Sequence, residues 1–286
     1  MPHRLLTFAS AIALNVLVCL SAIAEKPKTE QFLEPVVGCL NTLIADCTDT
    51  YGPQHSPMFC SLVDLDTHRI PPKAPPLLRD QRKADRAYPG GNLQHDLFTL
   101  LAMQHVSKLT GDTRYSNAAD AYLRFFLDHC ATVGNGLFPC GEHAYWDFYK
   151  ETCTYPTHED LAFVPGEFWE MLWTTNRKST EKHIRMLKMH FLEGDDWVWN
   201  RHAHILSHRR PGKPAPFPRH AGFYIYQWAF LYGKTQDPAL LELAKKTVDA
   251  NKSRSQANLS VLSLGLSLLR ANKELCGDEA NADWDT

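Results

Sequence analysis

The chain has 286 residues, with 30 Lys and Arg against 32 Asp and Glu and a formal net charge of −2. A balance so near neutral gives no reason to expect a nucleic acid or an anionic membrane as partner. The length and the 44% of hydrophobic residues suit one large domain with a sizeable core.

Residues 1–24 read as an export leader. Arg4 gives a positive start, residues 5–23 carry no charge, and Ala22-Ile23-Ala24 is a small-x-small cleavage site before Glu25. The mature protein is therefore expected to be secreted or periplasmic and free of the membrane after cleavage. It should hold a single domain over 25–276 and a disordered tail over 277–286. Loss of Cys19 leaves Cys39, Cys47, Cys60, Cys130, Cys140, Cys153 and Cys276. That number is odd, so at least one thiol stays outside any intramolecular disulfide. No CxxC pair is present, which argues against a thiolate zinc site. Cys140 and Cys153 flank a His/Glu segment that a bond between them would staple.

Along the chain, residues 66–91 are rich in proline and charge and read as an extended loop across a rim of the fold. Leu93, Leu97, Leu100 and Leu101 then line one helix face, and Tyr115, Ala119, Tyr122 and Phe126 line another after Thr110-Gly111-Asp112. Ile184, Leu187 and Phe191 follow Thr174-Thr175-Asn176 in the same way. Leu240, Ala244 and Val248 follow Thr235-Gln236-Asp237. Leu259, Leu262, Leu266 and Leu269 predict a last, buried helix. Asp112, Asn176 and Asp237 suit helix N-caps, Gly111 a helix C-terminus and Pro238 a first helical position.

These turns recur roughly every 60 residues, as expected of stacked helical hairpins. The fold class expected is all-α, an α/α toroid. A closed ring of such hairpins needs more residues than the chain holds. The toroid is expected to be incomplete or open, or to be completed by a dimer partner or a missing C-terminal half.

The long loops of this scaffold carry the ionisable residues. They hold Arg86 with Asn92 and His95-Asp96, Glu142-His143 with Asp147, His158-Glu159-Asp160, Arg201-His202-Ala203-His204, and Arg219-His220. A toroid would gather them on one rim, where sites usually lie. Two imidazoles and a carboxylate from separate loops, His143, Glu159 and His202, suit a divalent transition metal such as Mn, Co, Ni or Zn. Neighbouring arginines suit an acidic substrate, because guanidinium binds carboxylates bidentately. Arg86, Asn92, His95, Trp146, Arg219 and His220 are the candidate substrate contacts. Trp146, Tyr145, Trp197, Trp199, Tyr224 and Trp228 are aromatics that could stack on sugar faces. His105, His129, His183 and His190 fall in predicted helices and read as solvated or satisfied polar groups.

On those loops "GEH", "HED" and "NRHAH" resemble the pectate disaccharide-lyases of polysaccharide lyase family two. These are exo-acting α/α-barrel enzymes that use a transition metal held by two histidines and a glutamate. The resemblance covers roughly residues 86–230. It implies His143, Glu159 and His202 as ligands and Arg201, just before a ligand histidine, as the Brønsted base. The activity implied is metal-assisted β-elimination on an acidic polysaccharide or oligosaccharide such as pectate. Such a reaction removes the C5 proton of a uronate beside its C6 carboxylate, which must first be neutralised. Arginine is an unusual base, since its pKa lies above about 12. His204 or His220 is the more ordinary choice of side chain. Two other readings stay open. A glycoside hydrolase would draw two carboxylates from Asp96, Asp147, Glu142 and Asp160. A non-catalytic helical-repeat scaffold would bind without turnover. The leader reading makes its own expectation: N-terminal sequencing of the exported protein should begin at Glu25, and a sequence beginning at Met1 would indicate an uncleaved anchor.

Overall fold

The computed structural model describes residues 28–154, 156–159, 164, 166–216 and 220–252. The leader, Asp160, Arg219, the helix expected around Leu259–Leu269 and the 277–286 tail lie outside the described residues. Two compact units are distinguished, Met1–Thr42 and Leu43–Thr286. The first contributes most of α1 (Lys28–Asp46), and everything below concerns the second.

Helices dominate the second unit, and they come as the expected hairpins. α2 (Leu93–Thr110) and α3 (Arg114–Phe125) form the first. Gly111 ends α2 in the left-handed region, at φ 75°, and its N–H donates to the Ser107 carbonyl. A side chain other than glycine's is strained there. Asp112 does not cap α3 as its N-cap residue. It sits one position earlier, where its Oδ1 accepts from the Arg114 N–H at 3.0 Å. α3 runs on into a π-helical turn, Phe126–Cys130.

α4 (Gly166–Thr175) and α5 (Arg177–Met186) form the second hairpin around Asn176, whose Oδ1 accepts from the Ser179 N–H. Thr180 locks the pair by donating to the Leu172 carbonyl at 2.9 Å. α6 (His220–Thr235) and α7 (Pro238–Lys252) form the third. There Asp237 caps α7 by accepting from the Ala239 N–H, and Gln236 takes the positive φ of 56°.

α6 is buried on every side from His220 to Leu231, as a helix apolar all round must be. Tyr224 and Trp228 belong to this core, each 0% exposed. Burial of each such large side chain contributes roughly 1.5–3 kcal/mol. Trp146 and Trp199 are buried as well. Four of the aromatics expected on sugar faces thus pack the interior instead.

The fold departs from an all-α reading in its loops, which contain short strands. β1 (Gly90–Gly91), β2 (Tyr145–Asp147) and β3 (Thr152–Thr154) form one antiparallel sheet in that order. β4 (Thr157–Glu159) pairs with β7 (His202–His204), and β5 (Phe191–Leu192) with β6 (Asp195–Trp199). None exceeds five residues.

Between the hairpins and the β4–β7 ladder lies a core of neutral imidazoles. His183 stacks on Phe138 at 3.9 Å and accepts the Phe138 N–H on Nδ1. Burial pushes its pKa down to about 3, and that of His190 down to about 4. An unfolded histidine takes up its proton near pH 6.5. Stability from these groups is therefore complete above about pH 6.5 and is lost as pH falls toward 4 and then 3. Unfolding near pH 5 should take up about two protons from this pair, and His183→Gln should reduce that uptake by about one. Denaturant titrations across this range would test it, and an unchanged pH slope in the variant would refute it.

Candidate functional site

The β4–β7 pairing sets the site. Its register places Glu159 opposite His202, His158 opposite Ala203 and Thr157 opposite His204. Directly opposed residues share a face, and successive residues alternate faces. Thr157, Glu159, His202 and His204 therefore project one way. His158 and Ala203 project the other way and are buried, at 0% and 1% exposure. The sequence "THE" against "HAH" is this alternation.

Each strand is held by groups outside the ladder. The Glu159 N–H donates to the Cys140 carbonyl at 2.9 Å, which lays the segment before His143 alongside β4. Gly141 allows this approach. Its φ is 126°, and a Cβ there would fall 2.6 Å from the Glu159 Cβ. Asn92 fixes the same segment, donating from Nδ2 to the Gly141 carbonyl while its Oδ1 caps α2. On the other side, Asn135 donates to the carbonyls of His204 and Ser207 at the exit of β7.

Asn200 anchors the entry to β7. Its Oδ1 accepts from the His202 N–H at 2.9 Å, and its N–H donates to the His190 carbonyl. Its own carbonyl takes the His190 Nδ1–H at 2.8 Å. A carbonyl can only accept, so the His190 proton lies on Nδ1. Its Nε2 then accepts from His158 Nδ1, 2.6 Å away. Burial first, and then the neighbouring imidazoles of His190, His183, His220 and His202, hold His158 well below the usual histidine range. A fixed pair of neutral rings thus underlies both strands.

Above this base, ligand-capable atoms of His143, Glu159 and His202 lie within 4.8 Å of one another. His202 Nε2 is 3.4 Å from Glu159 Oε2, and the His143 and His202 rings are 6.2 Å apart between centroids. Glu159 Oε2 and His202 Nε2 are buried and lack a well-formed hydrogen bond. Leaving such atoms unsatisfied is costly. Two imidazoles and a carboxylate that converge with open lone pairs fit a divalent transition metal. Burial works to raise the Glu159 carboxyl, but His202, Arg201 and His143 outweigh it and hold the group below the ordinary carboxylate range. Arg201 Nε stands 3.9 Å from Glu159 Oε1.

His143 also belongs to a second group that sequence reasoning missed. Asp85 Oδ1 lies 3.2 Å from His143 Nδ1, and Glu142 Oε2 lies 3.8 Å from its Nε2. Arg82 ties the two carboxylates together, pairing with both Asp85 and Glu142. That one guanidinium balances one of the two negative charges, and the remaining charge faces His143, so the group reads as a support for it, since ligand histidines commonly lean on an outer carboxylate. A sequence signal existed in Arg82-x-x-Asp85, the ends of a capping box around the short Lys83–Arg86 helix.

A cleft of about 530 Å³ opens on this centre, lined by His143, Thr157, Asn200, His202, His204 and Arg209 among others. The structure thus gathers His143, Glu159, Arg201, His202 and His204. The remaining candidates are placed otherwise. Asn92 is buried as a helix cap, Trp146 is 7% exposed and packs edge-on against Phe125, and His220 is buried at the start of α6. Arg86 donates to the Pro75 carbonyl. His95 stands near Asp85 and Glu142, and burial lowers its pKa against their pull. Of the carboxylates a hydrolase would need, Asp96 accepts from the Tyr122 hydroxyl, Asp147 caps the turn at Tyr149 and Lys150, and Glu142 is held by Arg82.

A family model described as periplasmic pectate lyase matches residues 82–222. Over this stretch the chain is pectate-lyase-like. The match runs from Arg82 through every residue of the centre and into α6. No curated protein matches the chain. The family's periplasmic description agrees with the secreted or periplasmic location expected from the leader. Among the described residues no helix is long and apolar enough to cross a membrane.

The contact at Gly141 yields a direct test. Gly141→Ala should drive Glu159 out of register with His202 and weaken zinc binding by about 10–100-fold, the usual cost of disturbing a ligand's support. Calorimetric titration of the folded variant would measure this, and wild-type affinity would show that the close approach is irrelevant.

Proposed function

We propose that this chain is an exported lyase that cleaves a polyuronate such as pectate by metal-assisted β-elimination. The observation that carries the reading is the convergence of His143, Glu159 and His202, with Arg201 against the same carboxylate, inside the stretch matched to pectate lyases. A bound divalent metal would supply the positive charge that neutralises the substrate's C6 carboxylate and makes its C5 proton more acidic. His143, Glu159 and His202 are the residues to hold it.

Arg201 stands at the edge of the centre, its side chain 34% exposed and its Nε 3.9 Å from Glu159 Oε1. Its role in this reading is to clamp the substrate carboxylate or, as the family resemblance implies, to take the C5 proton. His204 projects from the same face of β7 into the same cleft, so its imidazole is the second candidate to accept that proton. Arg209 and Arg210 line the cleft beyond His204 and suit the negative charge of a polyuronate.

β-Elimination leaves an unsaturated sugar that absorbs in the ultraviolet, and hydrolysis does not. The metal-loaded protein should generate that absorbance on at least one member of a polyuronate panel, and a chelator should abolish it. Arg201→Lys keeps the charge but loses the planar fork. It should lower kcat by about 10²–10⁴-fold with a smaller change in KM. His202→Ala should instead lower metal occupancy and recover part of its rate with added metal. The reading is lost if no polyuronate yields ultraviolet product, or if the chelator leaves the rate unchanged.

A further inference from the structure

Two pairs of cysteines, from segments separated along the chain, meet outside the candidate centre. Thr48 faces Phe59 in an antiparallel bridge. The Cys60 N–H donates to the Cys47 carbonyl at 2.8 Å, and the Asp49 N–H to the Met58 carbonyl at 3.0 Å. This register sets Cys47 opposite Cys60, with both side chains on one face. One ladder bond joins the pair, the Cys47 N–H turning back to the Leu43 carbonyl, and directly opposed residues of an antiparallel pair have Cα atoms about 4.5–5.5 Å apart. A disulfide spans Cα separations of about 4.4–6.8 Å.

The second pair joins a helix end to a hairpin. Cys130 closes the π-helical turn after α3 and is 1% exposed. Cys153 opposes Trp146 on the β2–β3 ladder, so the two share a face. Trp146 packs edge-on against Phe125 of α3, with ring centroids 5.3 Å apart. The inner face of the hairpin therefore lies on the end of α3, and there Cys153 is near enough to Cys130 to raise its thiol further.

We propose that the exported chain carries two disulfides, Cys47–Cys60 and Cys130–Cys153. The inference rests on the juxtaposed pairs and on the secreted or periplasmic location, where disulfides persist. It is independent of the reaction assigned above. Each bond forms by exchange with a disulfide-bearing oxidant. Two thiols give up two protons and two electrons through a mixed disulfide, the S–S bond closes, and the oxidant leaves as two thiols.

Burial also dictates when this happens. It pushes the Cys60 thiol up to about 12, and that of Cys130 well above the usual thiol range. The thiolate is the reactive form. Folded thiols of this kind exchange slowly, so oxidation belongs to the period before the fold closes over them. The Cys130–Cys153 bond encloses the segment bearing His143 and pins the hairpin that leads into β4.

Peptide mapping decides the matter. The full chain, exported to a bacterial periplasm, would be alkylated with N-ethylmaleimide without reductant, denatured, digested and analysed by mass spectrometry. Cross-linked peptides joining Cys47 to Cys60 and Cys130 to Cys153 should predominate and should disappear on reduction. Alkylated Cys130 and Cys153, or either cysteine of a pair bonded elsewhere, would overturn the assignment of that pair. As an independent measure, Cys153→Ser should lower the Tm of the unreduced protein by roughly 5–10 °C, the loss expected for a cross-link closing a loop of this size. Reductant should bring the wild type down toward the variant. Equal Tm values for unreduced wild type and variant would count against a Cys130–Cys153 bond.

Discussion

The centre depends on a single cross-strand register. Because β4 and β7 pair with Glu159 opposite His202, a carboxylate and an imidazole meet without either side chain having to search for the other. A slip of either strand by one residue would turn its own ligand toward the core and bring His158 or Ala203 to the cleft in its place. The surroundings make such a slip costly. His158 is sealed against His190, and Asn200 is held through both its side chain and its backbone. Asn135 grips the far end of β7. These contacts pin a ladder of three residues that would be marginal alone.

The helical hairpins are the rigid body to which the ladder is fastened. His183 and His190 come from α5 and the turn after it, and both are buried and neutral. Packing imidazoles rather than leucines beneath the site supplies directional hydrogen bonds where a purely apolar layer would supply only volume. Those bonds carry orientation from α5 through His190 and Asn200 to His202, over a path with little rotational freedom. The neutral state of the rings keeps positive charge from accumulating under a centre that already faces Arg201.

The helices were legible because their signals are local. Gly111, Asn176 and Pro238 act within one turn of where they stand, and all three do in the fold what their chemistry suggests. The strands were not legible, because they are two to five residues long and owe their form to partners far along the chain. His143, Glu159 and His202 were selected from the sequence by donor chemistry and by the family resemblance, and the fold brings them together. Asn92, Trp146 and His220 were misjudged for the opposite reason. Residue type says what a side chain can bind but not which way it points, and burial turned all three inward. Asp85 escaped notice because its role appears only when residues 82–86 fold back beside Glu142 and His143.

The two arms of the centre are held by different forces. Glu159 and His202 are placed by backbone hydrogen bonds, which ionic strength scarcely affects. His143 is steadied in part by Arg82, Asp85 and Glu142, and the Arg82 side chain is 53% exposed. Exposed ion pairs weaken as the Debye length shrinks from about 10 Å at 0.1 M salt to about 3 Å at 1 M. Dissolved salt thus acts on one side of the centre and spares the other.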